Sequence, residues 1–268
     1  MSSLNKSPFL RIFLSYLPII MLFFSVFNEF DFNYLKLDYF AFNFAHLLIF
    51  FWTLRNPDQL GYQPVLESWL NTLPEFLSTS DAYRGVINQM YNWLVPASIN
   101  YLFRKQAVTT MLPVEQAMLS RNTMSLMFNL LDEFNANDKN SITENISPKQ
   151  VNGYIESLMI FSVAWAFGGV LDSQGRIKFD SFLRALLKGE NEDYPRARKI
   201  QNPLPRRGSV FDFVWDKKGP GKWTMWEDKI DKKYVIPEKS RVSEIVVPTT
   251  DTFKYTYLLD LSIKHRKH

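Results

Sequence analysis

The sequence predicts a mainly α-helical protein with a small α/β part towards its C-terminus. Between residues 56 and 190, apolar side chains recur at helical spacing in segments separated by polar loops and glycines. After Glu190 the chain continues as a basic linker that contains prolines, an alternating segment and a glycine turn, which together are typical of a β-hairpin. With 268 residues and 46% apolar content, the chain is long enough to bury a sizeable core.

The first two helices are predicted from their start signals. Asp81 is expected to cap a helix whose apolar residues lie on one face, and Pro96 is expected to kink or split that helix. Pro113 lies where the first turn of the next helix is predicted. A polar loop over 135–145 separates this helix from the following one.

The third helix is predicted to be the buried centre of the helical region. Ser147 is expected to cap it and Pro148 to take its first position. Its side chains are apolar around most of the circumference, and Gly168 with Gly169 is expected to end it. One more helix follows and is closed by Gly189.

The C-terminal part is predicted to contain strands. Residues 209–216 alternate like a strand, Gly219 and Gly221 indicate a turn, and a second short strand or helix start follows. Three tryptophans of this hairpin are expected to form its core rather than a platform for nucleic-acid bases: Trp215, Trp223 and Trp226. A β-branched run over 244–247, stopped by Pro248, predicts another strand, and Thr-Thr-Asp then opens a helix.

Composition and motif searches exclude several classes of active site. The absence of cysteine excludes disulfides and thiol catalysis, and only His46 lies away from the chain end among three histidines. Neither G-x-S-x-G nor G-x-x-x-x-G-K-[ST] occurs. A net charge of +4 is too mild to indicate nucleic acid as a partner. We predict no catalytic residue and no metal ligand in this chain.

Two local patterns imitate binding sites. Gly175 resembles the central glycine of a calcium loop, but Val170 and Ser181 would then occupy the first and last ligand positions, where carboxylates are required. A tight turn between helices is the better interpretation. The basic run over 195–208 lacks interleaved aromatic residues, so a solvated linker is expected there.

Residues 1–55 form a phenylalanine-rich hydrophobic leader, since residues 1–54 hold 12 of the 23 phenylalanines. Two apolar runs stand out, at 9–27 and 39–54, and the first is near the length of a membrane-spanning helix. Three interpretations stay open for this leader. It could be a non-native alternative N-terminus translated from A/T-rich non-coding sequence, a membrane anchor or hairpin, or a buried helical part of the fold.

Four ordered motifs from residue 56 onwards resemble the axonemal dynein heavy chains. The first is a Leu-Gly-aromatic-x-Pro…Ser-Trp-Leu…Leu-Pro run: Leu60, Gly61, Tyr62, Pro64, Ser68, Trp69, Leu70, Leu73 and Pro74. The second belongs to the apolar helix and its successor: Phe161, Ser162, Trp165, Gly168, Gly169, Phe179, Asp180 and Phe182. The third is the hairpin with Trp223 and Trp226, and the fourth is "VVPTTDTFKYTYLL". The resemblance runs from residue 56 to the C-terminus and covers about four-fifths of the chain.

The resemblance implies a segment at the end of the second AAA+ module and the start of the third. It predicts a helical AAA+ lid-type subdomain over 56–190, a linker over 191–204, and the first hairpin, strand and helix of a truncated AAA+ α/β subdomain over 205–268. Because the usual sheet cover is then missing, the apolar residues of the hairpin and of the stripe at 253–261 are expected to be exposed and loosely packed.

The resemblance also implies a partial adenine pocket, which is expected to be non-functional without a phosphate loop. Its residues are Val246, Val247, Pro248 and Thr249. ATP and Mg²⁺ belong to the intact family, and neither is expected to bind this chain alone, which would therefore be non-motile. The implied partners are other AAA+ modules and axonemal subunits, with microtubules reached only through the intact motor, and the implied location is the cytoplasm and the axoneme of the cilium. The alternative is a membrane-anchored interaction protein whose anchor lies in residues 9–54.

Overall fold

The computed structural model describes residues 63–105, 108–135, 141–143, 146–219, 221–230 and 249–265. The chain divides into two compact units, Met1–Asn56 and Pro57–His268. The predicted leader with its apolar runs lies outside the described residues. Among the helices of the described ranges, none combines the length and the apolar character that crossing a bilayer requires.

The second unit is built mainly from helices. In chain order these are α1 Gln63–Leu70, α2 Glu75–Ser78, α3 Asp81–Ile99, α4 Gln116–Leu130, α5 Pro148–Gly168, α6 Ser173–Lys188 and α7 Thr250–Lys264. The strands β1 Phe213–Asp216 and β2 Lys222–Met225 form one antiparallel hairpin. Four short turns complete the description: a π-helical turn at Asn100–Arg104 and 3₁₀ turns at Asp132–Phe134, Val210–Asp212 and Trp226–Lys229. The prediction of a mainly α-helical protein with a small β part is confirmed.

Helix α5 is the centre of the packing, as its apolar circumference predicts. The Ser147 side chain accepts a hydrogen bond from the Gln150 amide (3.3 Å), and the Gln150 side chain accepts one from the Ser147 amide (2.9 Å). Pro148 is the first helical residue, and the helix ends at Gly168. Every residue from Gly153 to Gly168 is buried, because α3 and α4 flank α5 and the hairpin and α6 cover the remaining faces.

Helix α3 differs from its prediction at both ends. Ser80 rather than Asp81 precedes its first turn, and the helix passes through Pro96 to Ile99 without a break. The predicted split at Pro96 is therefore wrong. The neighbours Leu94 and Val95 are fully buried, so packing around α3 outweighs the hydrogen bond that proline cannot make. A π-helical turn then widens the end of this helix.

Helix α6 is bounded by local signals. The Asp172 carboxylate accepts a hydrogen bond from the Gly175 amide (2.6 Å), so the stretch that imitates a calcium loop is the capped first turn of a helix. The helix ends at Lys188, and Gly189 follows it in the left-handed conformation (φ 83°). The predicted closure at Gly189 is confirmed.

The hairpin is covered by α5, which contradicts the expectation that it lacks cover. The Tyr154 ring lies edge-on to Trp215 with ring centroids 5.7 Å apart, and the Tyr154 hydroxyl donates to the carbonyl oxygens of Lys217 and Gly219. Four aromatic residues of this region are at most 5% exposed, Phe211, Phe213, Trp215 and Trp226, and Trp223 is half-buried. The expectation of exposure and loose packing is wrong for these residues, because the helical body itself supplies the cover.

The turn of the hairpin requires glycine at position 221. Gly221 has φ 76°, and a Cβ atom there would lie 2.4 Å from the Trp215 ring. The pairing register places Trp215 opposite Trp223, and strand β1 begins only at Phe213 because Val210–Asp212 forms a 3₁₀ turn. The strand is therefore shorter than the predicted 209–216.

Candidate functional site

The residues predicted to form a partial adenine pocket lie mostly beyond the described ranges. Val246, Val247 and Pro248, together with the strand predicted over 244–247, fall outside them. Thr249 is exposed and caps α7, where its hydroxyl accepts a hydrogen bond from the Thr252 amide (3.2 Å). In the described part of the chain no three side chains of the metal-ligating types come together. The adenine pocket thus stays a prediction.

The structure instead concentrates polar contacts where α7 packs on the hairpin and the helical body. Lys254, in the second turn of α7, is 9% exposed. Its ammonium group donates to Asp212 (3.1 Å) and lies 3.7 Å from Asp251. The second oxygen of Asp212 accepts from the Ser209 amide (2.9 Å). One carboxylate therefore joins the cap of the 3₁₀ turn to α7.

Aromatic side chains support the middle of α7. Trp226 is fully buried, its indole nitrogen donates to the Phe211 carbonyl (3.1 Å), and its ring lies 5.2 Å from Tyr257 and 6.0 Å from Phe253. The Tyr257 ring also meets Phe161 of α5 edge-on at 6.5 Å. Burial raises the pKa of Tyr257 to about 12, with Glu133 contributing in the same direction.

The far end of α7 lies against the end of α4. Lys264 donates to Asp132 (2.6 Å), and the imidazole of His265 lies 2.9 Å from the same carboxylate oxygen. Next to them, the Lys217 ammonium donates to the Leu130 carbonyl at the end of α4 (2.6 Å). A cation at a helix C-terminus is favoured by the helix dipole. Burial lowers the pKa of Lys217, while Glu133, 3.5 Å away, opposes that shift.

A buried ion pair fastens the linker over 191–204 to the central helix. Glu156 is fully buried on α5, where its carboxylate lies 2.9 Å from Arg198 and accepts a hydrogen bond from the Gln201 amide (2.8 Å). Burial raises the pKa of Glu156, and the Gln201 amide and Arg198 oppose the shift. Sequence reasoning missed this pair. The signal was present, because Glu156 is the one acidic residue of α5 and a buried charge needs a partner.

Two concavities adjoin the linker, and both are small. One of about 130 Å³ lies between Tyr101, Phe182 and Tyr194, and another of about 340 Å³ lies between Trp93, Tyr194 and Pro195. Neither is lined by Thr249. The volumes lie below or at the low end of the range of about 300–1,000 Å³ that is typical of small-molecule pockets.

Comparison with known proteins identifies the family of this scaffold. The family model described as "Dynein heavy chain AAA lid domain" matches residues 87–228, which is more than half of the chain. The chain belongs to the dynein heavy chain AAA lid family. The rat protein "Dynein axonemal heavy chain 12" is 30% identical over 214 residues, which cover 79% of this chain and 7% of that protein. The human "Dynein axonemal heavy chain 3" is 31% identical over 218 residues, which cover 78% of this chain and 5% of that protein.

These comparisons confirm the resemblance to axonemal dynein heavy chains. The chain spans only 5–7% of the length of these two relatives. The region matched by the dynein lid model begins inside α3 and ends in the 3₁₀ turn at Trp226–Lys229, so it includes the linker and the hairpin. This range agrees with the observation that the hairpin packs on α5.

Proposed function

We propose that residues 57–268 serve as a lid-type structural segment of an axonemal dynein motor, between the second and third AAA+ modules of its ring. The observation that carries this proposal is the match to the dynein lid model over 87–228, the part of the chain that packs around α5. The described helices between Gln63 and Lys188, the linker over 191–204 and the hairpin form one packed body, with α7 on its side. In this proposal only the segment after the hairpin leads towards the third module.

The proposed role is mechanical rather than catalytic. Hydrolysis in phosphate-loop ATPases needs a lysine and a hydroxyl on the loop, and an acidic residue that holds Mg²⁺. The chain has no G-x-x-x-x-G-K-[ST] sequence. In the intact motor, ATP and Mg²⁺ would therefore be bound by other parts of the ring, and this segment would transmit the resulting movements. Alone it would neither hydrolyse ATP nor move along a microtubule.

The contacts within the segment are suited to transmitting movements between the parts of the ring. A helix buried on all sides resists deformation, because its neighbours are packed as densely as in any protein interior. The linker is fastened to α5 through Glu156, and α7 is fastened at both ends through Asp212 and Asp132. Movement of α7 would therefore displace the end of α4 and the hairpin, which are in contact with it. The partners in this proposal are the neighbouring AAA+ modules and axonemal subunits, and the location is the axoneme of the cilium.

The catalytic half of the proposal is tested by measuring ATP turnover and nucleotide binding by the purified full chain. We expect no turnover above a buffer blank and no saturable binding of a fluorescent ATP analogue up to about 1 mM, a concentration typical of weak sites. An axonemal dynein preparation serves as the positive control. ATPase activity that follows the protein through successive columns would contradict the proposal.

The mechanical half is tested in a chimera. The matching segment of an axonemal dynein heavy chain is replaced by residues 57–268, and microtubule-stimulated ATP turnover is measured. We expect the chimera to keep activity, and a matched chimera carrying Trp165→Ala to lose most of it, because that substitution disturbs the centre of the body. A folded chimera with full basal turnover but no response to microtubules would show that the segment does not serve as this lid.

A further inference from the structure

A short basic stretch lies between the linker and the hairpin and reads Arg-Arg-Gly-Ser-Val, residues 206–210. Arg206, Arg207 and Gly208 are exposed, and residues 202–209 form neither helix nor strand. Among the residues that the structure describes, no carboxylate pairs with either arginine. The lid role leaves this stretch unexplained.

Charge patterns of this kind are read by protein kinases that select basic substrates. Such enzymes carry acidic side chains that bind arginines two and three residues before the acceptor serine, and an apolar pocket that takes the next residue. Ser209 has Arg206 and Arg207 at those two positions and Val210 immediately after it.

We propose that Ser209 is a phosphorylation site for a basophilic protein kinase, and that phosphorylation weakens the docking of α7. The co-substrate is ATP. The bond between the γ-phosphorus of ATP and the oxygen that bridges its β- and γ-phosphates breaks, and ADP leaves with that oxygen. A bond from the γ-phosphorus to the Ser209 Oγ forms, and the hydroxyl proton passes to the base of the kinase.

The kinase must open the stretch before it can act. Ser209 is half-buried, and Val210 is 3% exposed with its amide donating to Asp180 (2.7 Å). Gly208 has φ 86°, so it must rotate into an extended conformation, which glycine does without steric cost. The modification rate then follows the fraction of molecules in which residues 206–210 are open.

A phosphate on Ser209 would act on the contact that holds α7. The Ser209 amide donates to one oxygen of Asp212, whose other oxygen accepts from Lys254 (3.1 Å). A phosphoserine adds about −1.5 to −2 charges at neutral pH, so it repels the Asp212 carboxylate. Arg184, which donates to the Gly208 carbonyl (2.8 Å), offers the phosphate a cation that does not belong to α7. The cap of the 3₁₀ turn loosens as a result, and Asp212 loses its hold on α7.

The site is tested on the purified full chain with ATP and the catalytic subunit of cyclic-AMP-dependent protein kinase, with the phosphate located by mass spectrometry. We expect phosphate on Ser209. A double variant, Arg206→Ala with Arg207→Ala, keeps the fold because both side chains are exposed, and its rate falls about tenfold or more as charge-assisted contacts to the kinase are lost. A peptide of residues 203–213 serves as the fully accessible control.

Three outcomes overturn the proposal. In the first, phosphate appears only elsewhere, for example on Ser243, which has Arg241 two residues before it. In the second, the peptide is modified but Ser209 of the folded chain is not, so the stretch does not open. In the third, the double variant is modified as fast as the original chain, which means that the kinase does not recognise the two arginines.

The consequence for α7 is tested by amide hydrogen exchange of residues 250–264 before and after stoichiometric phosphorylation. We expect exchange to become about fivefold faster, which corresponds to a loss of about 1 kcal/mol of local stability. In Lys254→Met the ion pair is already absent, so phosphorylation should change the exchange little. Equal exchange with and without phosphate in the original chain overturns the proposed weakening.

Discussion

Helices α5 and α7 reach fixed positions in the same body by different means. Every residue of α5 from Gly153 to Gly168 is buried, and the one acidic residue among them has a cationic partner. In helix α7 Lys254 is the most deeply buried residue, and the outer face leaves three apolar side chains 48–59% exposed at successive turns: Tyr255, Leu259 and Ile263.

The difference shows which interactions hold each helix. Full burial of one Leu or Ile side chain stabilises by about 1.5–3 kcal/mol, and α5 has many such residues. A partly exposed ion pair contributes roughly 0–1 kcal/mol. Helix α7 depends on a few such ion pairs, together with the ring contacts that Phe253 and Tyr257 make with Trp226. We therefore expect α5 to open only when the whole unit unfolds, and α7 to undock at a lower cost.

The largest expected effect comes from deleting a large side chain of α5. Trp165 is 7% exposed and meets Phe211 edge-on at 5.6 Å. Trp165→Ala should lower the free energy of unfolding by about 3–5 kcal/mol, as measured by denaturant titration, because a cavity remains. The matched change on α7, Leu259→Ala at 59% exposure, should stay within about 0.5 kcal/mol. Similar losses for the two variants would remove the contrast between the helices.

The second test adds one methyl group at the end of α5. A Cβ atom on Gly168 would lie 2.3 Å from the Phe211 ring, so Gly168→Ala should destabilise by about 1–3 kcal/mol through overpacking. Gly85, in α3, has nothing within 4 Å of such an atom. Gly85→Ala should stabilise by about 0.5–1 kcal/mol, because alanine favours a helix. Melting curves that shift in the same direction for both variants would contradict this geometry.

The third test removes the ion pair at the start of α7. Lys254→Met keeps the length of the side chain but loses the contact with Asp212, so α7 should lose about 1 kcal/mol of docking stability. Its amides should then exchange about fivefold faster, while those of α5 keep their protection. Lys222→Met, at an exposed position of β2, is the control. Unchanged exchange in α7 would mean that the aromatic contacts suffice.

The smallest effect is a pH dependence carried by Tyr257. Its pKa is raised to about 12 by burial, so the folded state keeps the phenolic proton at a pH where the unfolded chain loses it. Stability from this group is therefore complete below about pH 10 and is lost as the pH rises towards 12. Relative to Tyr257→Phe, the original chain should lose about 1 kcal/mol by about pH 10.5. Parallel pH profiles of the two proteins would show that Tyr257 is not buried against Trp226.

Much of the fold was predictable because its signals are local. Ser147 and Pro148 start α5, glycines end α5 and α6, and the Thr-Thr-Asp opening begins α7 at Thr250, each as predicted. These assignments depend on capping groups and on the 3.6-residue period, both contained in a few neighbouring residues. The family was recognisable for a related reason, since four motifs keep their order and approximate spacing.

The candidate site was less accessible to sequence reasoning. Three of the four residues predicted to line an adenine pocket lie outside the described ranges, and the fourth caps a helix. The contacts that hold α7 join Asp212 to Lys254 and Asp132 to Lys264. No periodicity pairs residues so far apart along the chain, so these contacts could not be read from the sequence.

The sequence by itself determined where α5 begins and ends, where α6 ends and where α7 begins, that α5 is central, and which family the chain belongs to. Only the tertiary structure decided that α3 continues through Pro96, that the hairpin is covered by α5, and that Glu156 holds the linker. The physical reason is the distance along the chain over which each interaction acts. Capping and amphipathicity act within a few residues, whereas the continuity of α3, the cover of the hairpin and the partner of a buried charge depend on elements that meet only when the chain has folded.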